Sequence, residues 1–473
     1  MKPGSHETPG CVTLRRAVRI ERPAAVVFAW HEQPGAFDRM APPWATMTRR
    51  SAAGGIRNGA RVELRQHVGP LRLRWEVEHS DFVEGVQFRD VAARSPFQVW
   101  EHLHRVEPIN GEACLWVDEV RYRLPGGLLG RWLLGRRVRS ELDRLFTYRH
   151  AVLKADLEQP LTPPPQRILL AGASGLLGRG LAAFLSTQGH DVLRLVRHPV
   201  RQPDELQWNP NVAELQHGPL DGIDTVINLS GANIADRNWS DRRRDTIIHS
   251  RKMATSTLVS AFKDMPCRPK LFLSASAVGY YGDRGDALLD EKADTGDNFL
   301  ALICRTWEEE ARRAENLGIR TVMLRTGVVL TPEGGALKKM LPLFQLGLGG
   351  RIGDGRAWMS WITPDDYAGA IQHAIATPTL RGPFNLVAPE PVRNADFARI
   401  LAFVLSRPGF LPTPAWVLRT AFGQMAEETV LASQRAVPRR LLEAGYEFRH
   451  PDLESALRHV LGRMPSAPLP SAP

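Results

Sequence analysis

Apolar and polar residues alternate along the first third of the chain. The alternation is clearest over residues 61–68, 71–77 and 114–122. A period of two predicts antiparallel strands that have one face in water, and the Gly69-Pro70 pair predicts a tight connection between the first two strands. From residue 128 to residue 152 the apolar positions recur at helical spacing instead. We therefore expect one antiparallel sheet that curls around a long helix and encloses a cavity.

This first domain is placed at residues 12–158, and the segment 18–30 opens it. The order of opening segment, strands and final helix resembles the START/polyketide-cyclase (SRPBCC) helix-grip superfamily. The resemblance implies an α+β helix-grip fold with an apolar ligand pocket or a partner-docking surface. A packed accessory domain without a ligand is the alternative. The histidines of this region show no spacing typical of metal ligands, so we expect surface or hydrogen-bonded roles for His31, His67, His102 and His104.

A proline-rich segment over 159–166 separates this domain from a different pattern. Consecutive prolines favour extended backbone, so the segment is expected to be a semi-rigid linker. Short apolar strands then alternate with helical stretches, which predicts a Rossmann-type doubly wound parallel α/β sheet over 167–390. Residues 391–461 predict a small, α-rich C-terminal lobe, and residues 462–473 predict a disordered tail. The expected strands are 167–171, 191–196, 225–229, 270–274 and 320–324.

The most informative motif is a strand that runs directly into three spaced glycines and an apolar helix. Gly172 permits the tight turn, Gly175 lets the backbone approach a pyrophosphate, and Gly178 allows close packing of the helix on the strand. The first N–H groups of the helix remain free to bind phosphate. Strand, glycines, helix and second strand together predict dinucleotide binding. The predicted cradle consists of Gly172, Ser174, Gly175, Leu176, Leu177 and Gly178.

The end of the second strand indicates which nicotinamide cofactor is bound. An NAD-preferring site places an acidic residue there for the ribose 2′-hydroxyl, but this strand ends in Val196, Arg197 and His198. Asp191 lies at the beginning of the strand and is the wrong acid for that role. Arg197 is able to pair with a 2′-phosphate, so we predict NADP(H). A solvated surface arginine is the alternative.

The whole second part resembles the extended short-chain dehydrogenase/reductases, the NAD-dependent epimerase/dehydratase family. More narrowly, it is similar to the atypical branch labelled epimerase-family or cell-division-inhibitor proteins. Residues 391–461 resemble the small uncharacterised domain that ends this branch. The matching segments are 172–178, 226–235, 238–240, 274–282, 324–330 and 353–361.

The resemblance implies roles for residues at the ends of three strands. Ser276 falls where the superfamily places a catalytic hydroxyl, and Arg325 falls where the family contacts nicotinamide and substrate. A further loop falls where the family passes the nicotinamide ribose. The residues of that loop are Asn228, Leu229, Ser230 and Gly231.

The chain departs from the family at its proton-transfer pair. The superfamily uses a Tyr-x-x-x-Lys motif, but aligning Glu308 with the family's helix glutamate puts Leu300 at the tyrosine and Cys304 at the lysine. Leucine has no proton to give, and cysteine carries no positive charge. Tyr280 and Tyr281 are the nearest phenols, with an aromatic wall of the pocket as their alternative role. The predicted catalytic candidates are Ser276, Tyr280 and Tyr281.

Composition and charge narrow the classes of function. The net charge is +10, but the basic residues are scattered, so we expect no nucleic-acid partner. The four cysteines are far apart and predict neither disulfides nor a metal site. Without an apolar run of about 18 residues or a secretory signal pattern, we expect no membrane span and a cytoplasmic location.

Two functions remain open at this point. The first is an NADP(H)-dependent oxidoreductase or epimerase that acts on an unidentified small molecule. The second is a non-catalytic NADP(H)-binding sensor or regulatory protein, whose N-terminal domain binds a ligand or a partner. The absence of the Tyr-x-x-x-Lys pair favours the second function, and the retained Ser276 favours the first. The oligomeric state is not indicated by the sequence.

Overall fold

The computed structural model describes residues 10–45, 47–68, 71–160, 163–215 and 220–465. One compact unit contains the described residues up to Pro160 and those from Gly462 onward, and a second unit contains the residues between them. The predicted turn at Gly69-Pro70, part of the predicted linker and most of the predicted tail lie outside the described residues. All four cysteines are free thiols, as predicted.

The first unit is built on one antiparallel sheet and one long helix. Seven strands lie in the order β1-β7-β6-β5-β4-β3-β2, so neighbours along the chain are mostly neighbours in the sheet. The alternating segments predicted as strands are confirmed as β3, β4 and β7. The elements are β1 (Val12–Ile20), α1 (Ala24–Glu32), α2 (Ala36–Arg39), β2 (Met47–Ala53), β3 (Arg61–Val68), β4 (Leu71–Val83), β5 (Gln87–Arg94), β6 (Val99–Pro108), β7 (Cys114–Arg123) and α3 (Gly127–Leu157).

The helix α3 packs its inner face on this sheet. Leu142 and Phe146 lie in one apolar cluster with Tyr122 of β7, and Leu153 lies in another with Trp116 of β7. The helical spacing seen in the sequence therefore marks the buried face correctly over the second half of the helix. Its first turns are exposed instead, since Leu128, Leu129, Trp132 and Leu133 all face solvent.

The second unit contains an eight-stranded sheet in the order β11-β10-β9-β8-β12-β13-β15-β19. Apart from the hairpin partner β11, its strands are parallel. The chain order reverses between β8 and β12, which is the switch point at which doubly wound sheets bind ligands. The elements up to the last sheet strand are β8 (Arg167–Ala171), α4 (Leu176–Thr187), β9 (Asp191–Val196), β10 (Glu205–Asn209), β11 (Glu214–Leu215), β12 (Thr225–Asn228), α5 (Asp241–Asp264), β13 (Leu271–Ala277), β14 (Leu288–Leu289), α6 (Phe299–Arg312), β15 (Arg320–Thr326), β16 (Val328–Val329), α7 (Gly335–Gln345), β17 (Trp358–Met359), β18 (Trp361–Ile362), α8 (Pro364–Ala376) and β19 (Gly382–Leu386).

Both faces of this sheet are covered by helices, which explains why its strands read as continuous apolar runs. In β8, Ile168 and Leu170 pack into one core with α4 and α8. The alternate residues Leu169 and Ala171 pack into a second core with α5. The prediction of a Rossmann-type sheet is confirmed.

The end of the second unit is mostly helical, as predicted. Leu401 of α9 and Leu457 of α13 share an apolar cluster with Trp361. No helix in the described part of the chain is long and apolar enough to cross a bilayer. The remaining elements are β20 (Val392–Arg393), α9 (Asn394–Leu405), α10 (Ala415–Phe422), α11 (Gln424–Glu428), β21 (Arg435–Ala436), α12 (Arg439–Glu443) and α13 (Leu453–Val460).

Candidate functional site

The glycine turn after β8 has no room for side chains. Gly172 has a φ of +85°, and a Cβ there would lie 2.8 Å from the carbonyl carbon of Leu229. A Cβ at Gly178 would overlap the carbonyl oxygen of Gly172. These two positions therefore require glycine, for backbone conformation and close approach in the first case and for helix packing in the second.

The helix α4 begins directly at this turn with its N-terminus uncapped. Its N-cap is Gly175, which has extended backbone and no side chain to accept the first N–H groups. Ser174 is exposed beside it, while Leu176 and Leu177 are half-buried. Free N–H groups and the positive end of the helix dipole form a site for phosphate. The residues present thus fit a dinucleotide pyrophosphate.

A second loop lies against the glycine turn across the switch point. Asn228, fully buried at the end of β12, donates from Nδ2 to Thr255 Oγ1 at 3.0 Å. Its Oδ1 accepts the Ser230 N–H at 3.0 Å. The Leu229 N–H bonds the carbonyl of Ala171 at 2.9 Å, and Gly231 follows at the surface. Asn228 is therefore a strand residue that shapes the loop, and the strand ends one residue before its predicted end at Leu229.

The end of β9 carries a free positive charge. Arg197 is exposed, and among the described residues its guanidinium has no hydrogen-bond or ion-pair partner. Arg194, on the same strand, is instead paired with Asp204, with 2.6 Å between Nε and Oδ2. Arg197 is thus available to an anionic ligand.

A buried polar network lies under the carboxyl ends of β13 and β15. Arg325 donates from Nε and Nη2 to the two carboxylate oxygens of Glu308, at 2.8 and 3.0 Å. Ser276 donates to Glu308 Oε1 at 2.8 Å. Burial lowers the pKa of Arg325, but its hydrogen bond and charge interaction with Glu308 outweigh that effect and raise it.

Two of the predicted site residues, Arg325 and Ser276, are buried members of this network. The side chain of Arg325 is 2% exposed, and its third nitrogen donates to the Tyr281 hydroxyl at 3.1 Å. The strand also runs through Arg325, whereas the sequence placed this residue after the strand. A guanidinium with these partners supports the fold from inside, in contrast to the cofactor contact predicted for it. Ser276, 4% exposed, is likewise held by Glu308.

The two adjacent tyrosines have different surroundings. Tyr281 is fully buried and donates to Asn385 Oδ1 at 2.7 Å, and burial raises its pKa to about 12. Tyr280 is half-buried, and its ring lies against the Arg325 guanidinium at 3.5 Å from the ring centroid. Within the described residues the Tyr280 hydroxyl has no hydrogen-bond partner. Of the three catalytic candidates, Tyr280 alone has an unengaged hydroxyl.

The helix α6 carries the residues that stand in place of the Tyr-x-x-x-Lys pair. Leu300 and Cys304 are both buried, at 9% and 3% exposed. Burial raises the pKa of the Cys304 thiol to about 11, with the Glu308 charge adding to the shift. The thiol is therefore neutral at physiological pH and provides neither a cation nor an accessible acid.

Comparison with known proteins identifies the second unit. The profile of the NAD dependent epimerase/dehydratase family matches residues 168–386. The Mycobacterium tuberculosis (strain CDC 1551 / Oshkosh) epimerase family protein MT2273 is 43% identical over 296 residues, which are 63% of this chain and 98% of that protein. The chain belongs to the epimerase family. Human epimerase family protein SDR39U1 is 35% identical over 298 residues, which cover 62% of this chain and 99% of that protein.

Solved structures extend the similarity to both units. The nucleoside-diphosphate sugar epimerase from Corynebacterium glutamicum superposes with a TM-score of 0.78 at 33% identity, covering 96% of this chain and 91% of that one. Human SDR39U1 (isoform 2), crystallised with NADPH, gives a TM-score of 0.58 at 33% identity and covers 63% of this chain and 100% of that one. A domain of unknown function, DUF1731, matches residues 413–460, which agrees with the uncharacterised C-terminal domain expected for this epimerase-family branch.

Sequence reasoning missed a buried polar cluster in the first unit of this epimerase-family chain. His102 and His104 are 3% and 5% exposed, so the surface role considered for them is wrong and the hydrogen-bonded role is confirmed. Both contact Asp118. The His-x-His spacing on a strand was the available signal, because residues two apart share one face of a sheet.

Proposed function

We propose that this epimerase-family protein is an NADP(H)-dependent oxidoreductase or epimerase that acts on a small molecule. The observation that carries the cofactor assignment is the pairing of an uncapped glycine cradle with Arg197. No acid stands at the end of β9 to favour a ribose 2′-hydroxyl, and the exposed arginine suits a 2′-phosphate. The NADPH bound to the human relative supports the same choice.

Calorimetric titration of the cofactor-free protein with NADPH and with NADH tests this assignment. NADPH should bind more tightly than NADH. Arg197→Ala should weaken NADPH binding by about tenfold or more, since a hydrogen bond to a charged group contributes about 1.5–3 kcal/mol, and should leave NADH binding unchanged. Arg305→Ala, which removes an exposed charge from α6, is the matched control. Equal affinity for the two cofactors in the wild type would contradict the assignment.

We assign Tyr280 as the acid–base group of the reaction. Once bound, the nicotinamide supplies or accepts a hydride, and the protein must move a proton at the substrate hydroxyl or carbonyl. Ser276 donates into Glu308, and Tyr281 donates into Asn385. Tyr280 keeps an unengaged hydroxyl, and the Arg325 guanidinium holds its ring in place through a cation–π contact.

Turnover by Tyr280→Phe tests this role. NADPH oxidation would be followed at 340 nm with a panel of aldehydes and ketones. If general acid catalysis is lost, the rate should fall by about 10²–10⁴-fold while NADPH affinity stays at the wild-type value. Tyr281→Phe is the comparison, because it should lower stability through its lost bond to Asn385. Undiminished turnover by Tyr280→Phe would exclude the assignment.

A non-catalytic NADP(H) sensor is the second candidate, and the observation that favours it is the buried, neutral Leu300 and Cys304 at the usual proton-transfer positions. The same experiments separate the two functions. A sensor would bind NADPH with the same Arg197 dependence and would turn over no member of the panel. An enzyme would show turnover that depends on Tyr280.

For the first unit we propose a helix-grip domain of the START/polyketide-cyclase type. The antiparallel sheet and the 31-residue helix α3 support this assignment. Histidines and aspartates are buried on the sheet face that the helix covers. An apolar ligand bound between the sheet and the helix would therefore contact polar side chains on the sheet. A ligand with a polar group at one end fits such an interior better than a hydrocarbon alone.

A further inference from the structure

Four polar side chains of the first unit converge on one face of the sheet. Asp90 on β5 lies opposite His102 on β6 in the strand register, and His104 on β6 lies opposite Asp118 on β7. Since His102 and His104 are two residues apart, all four side chains project from the same face. This group is called the His–Asp cluster below.

Ligand atoms from three of these residues lie close together. Asp90 Oδ2 is 3.3 Å from His104 Nε2, a hydrogen-bond contact, and 4.0 Å from His102 Nδ1, and the three residues each offer one ligand atom within 4.8 Å of the others. Donor atoms that share a tetrahedral ion at about 2.0–2.2 Å stand about 3.4 Å apart. The two distances from Asp90 Oδ2, 3.3 and 4.0 Å, therefore lie on either side of the spacing that a bound ion requires.

Asp118 contacts both imidazoles at the ring nitrogen that does not face Asp90. Its Oδ1 is 2.9 Å from His102 Nε2 and 2.8 Å from His104 Nδ1. Each ring therefore turns one nitrogen to Asp118 and the other toward Asp90. In most histidine metal sites a carboxylate, a backbone carbonyl or a water on the far nitrogen fixes the tautomer and the ring orientation. His150 Nε2 at 2.7 Å and Trp116 Nε1 at 3.2 Å hold the second oxygen of Asp118.

Among the four described side chains of the cluster, that of Asp90 is the most exposed. The side chains of His102, His104 and Asp118 are 4–6% exposed, whereas Asp90 is 22% exposed. His79 Nδ1 lies 2.7 Å from the other oxygen of Asp90 and supports that carboxylate. An ion can therefore enter at Asp90, and a solvent or substrate oxygen can complete its coordination from the same side.

We propose that the His–Asp cluster binds one divalent transition-metal ion through Asp90 Oδ2, His102 Nδ1 and His104 Nε2, with Asp118 as a positioning residue. Two imidazoles and one carboxylate suit zinc or ferrous iron and leave an open coordination position. The site is independent of the nucleotide cradle, and it reverses the expectation from sequence that the chain holds no metal.

The test uses the untagged full-length protein, stripped of metal and titrated with Co²⁺, whose visible absorption reports imidazole ligation. Zn²⁺ content after dialysis would be measured by mass spectrometry. The wild type should retain a metal ion after dialysis, whereas Asp90→Asn and His104→Gln should lose it. In the titration, these two variants should bind Co²⁺ at least tenfold more weakly than the wild type. His67→Ala, which removes an exposed histidine of β3, should bind like the wild type. Asp118→Asn should weaken binding by about 10- to 100-fold.

Circular dichroism would establish that the variants are folded. Asp90→Asn keeps the size of the side chain and its contact with His79, so it is the variant expected to fold best. Asp365, His450 and His459 offer ligands in the second unit, so an ion that Asp90→Asn still retains would overturn the proposal. A wild type that shows no visible Co²⁺ bands and keeps no zinc after dialysis would overturn it as well, whatever the variants do.

Discussion

Glu308 and Arg325 show how much one buried ion pair supports. Both side chains are almost entirely buried. Each also hydrogen-bonds a further side chain, Glu308 that of Ser276 and Arg325 that of Tyr281. Replacing Glu308 with glutamine leaves the guanidinium buried without a counter-charge. Breaking a buried pair in this way costs about 3–5 kcal/mol, so Glu308→Gln should lower the free energy of unfolding by that amount in urea denaturation.

The neighbouring residue provides the control for this prediction. Glu309 is exposed on the same helix, and Glu309→Gln should change stability by less than about 0.5 kcal/mol. Ser276→Ala should fall between them, because it removes one hydrogen bond to a carboxylate, worth about 1.5–3 kcal/mol. A Glu308→Gln protein as stable as Glu309→Gln would show that the pair is dispensable to the fold.

Among the elements, those with a continuous local signal were predicted best. The strands β8 and β9 match their predicted bounds because buried parallel strands are short apolar runs that end at polar or glycine residues. The glycine turn was predicted equally well, because its backbone conformation requires particular residues. By contrast, β13 continues to Ala277, beyond its predicted end, because Ser274 and Ser276 are polar residues that the interior accommodates.

The polar networks could not be read from local pattern. The His–Asp cluster draws on β5, β6 and β7, and only their register brings Asp90, His102 and Asp118 together. The partner of Arg325 lies on α6, 17 residues earlier in the chain. Charged residues on strands and helices normally face water, and only tertiary packing reverses that expectation for these side chains.

The helix α4 provides a prediction at the element scale, because it contains two glycines in different surroundings. A Cβ at Gly178 would overlap backbone of the glycine turn, whereas one at Gly180 meets nothing within 4 Å. Gly178→Ala should therefore displace the helix from the turn, weaken NADPH binding at least tenfold and lower stability. Gly180→Ala should bind NADPH normally and gain up to about 1 kcal/mol of stability from helix propensity.

Calorimetry and urea denaturation of the two variants would measure these effects. The most informative result is the direction of the change in stability, which should be a loss for Gly178→Ala and a gain for Gly180→Ala. Both substitutions add the same methyl group to the same helix, so a difference between them reflects the surroundings of each glycine. NADPH binding by Gly178→Ala at wild-type strength would mean that the turn tolerates displacement and that the cradle does not depend on close helix packing.

At the scale of the whole molecule, each unit has a hydrophobic core of its own. The first unit is centred on Trp116 and Phe146. The second unit has separate cores on the two faces of its parallel sheet. The proposed metal site and the nucleotide cradle thus belong to different units, and each ligand should stabilise the unit that binds it.

Hydrogen exchange in the presence of NADPH tests this division. A ligand at 100 times its dissociation constant stabilises the folded state by about 2.7 kcal/mol, which slows exchange through global unfolding about 100-fold. The slowest amides of β8, β9 and β12 should gain this protection, while those of β6 and β7 should exchange at unchanged rates. At the same NADPH concentration, the Gly178→Ala protein should gain no more than about tenfold protection in β8, β9 and β12, because it binds NADPH at least tenfold more weakly. Equal slowing in β6 and β7 would mean instead that the two units unfold as one, so that cofactor bound at the cradle also stabilises the His–Asp cluster.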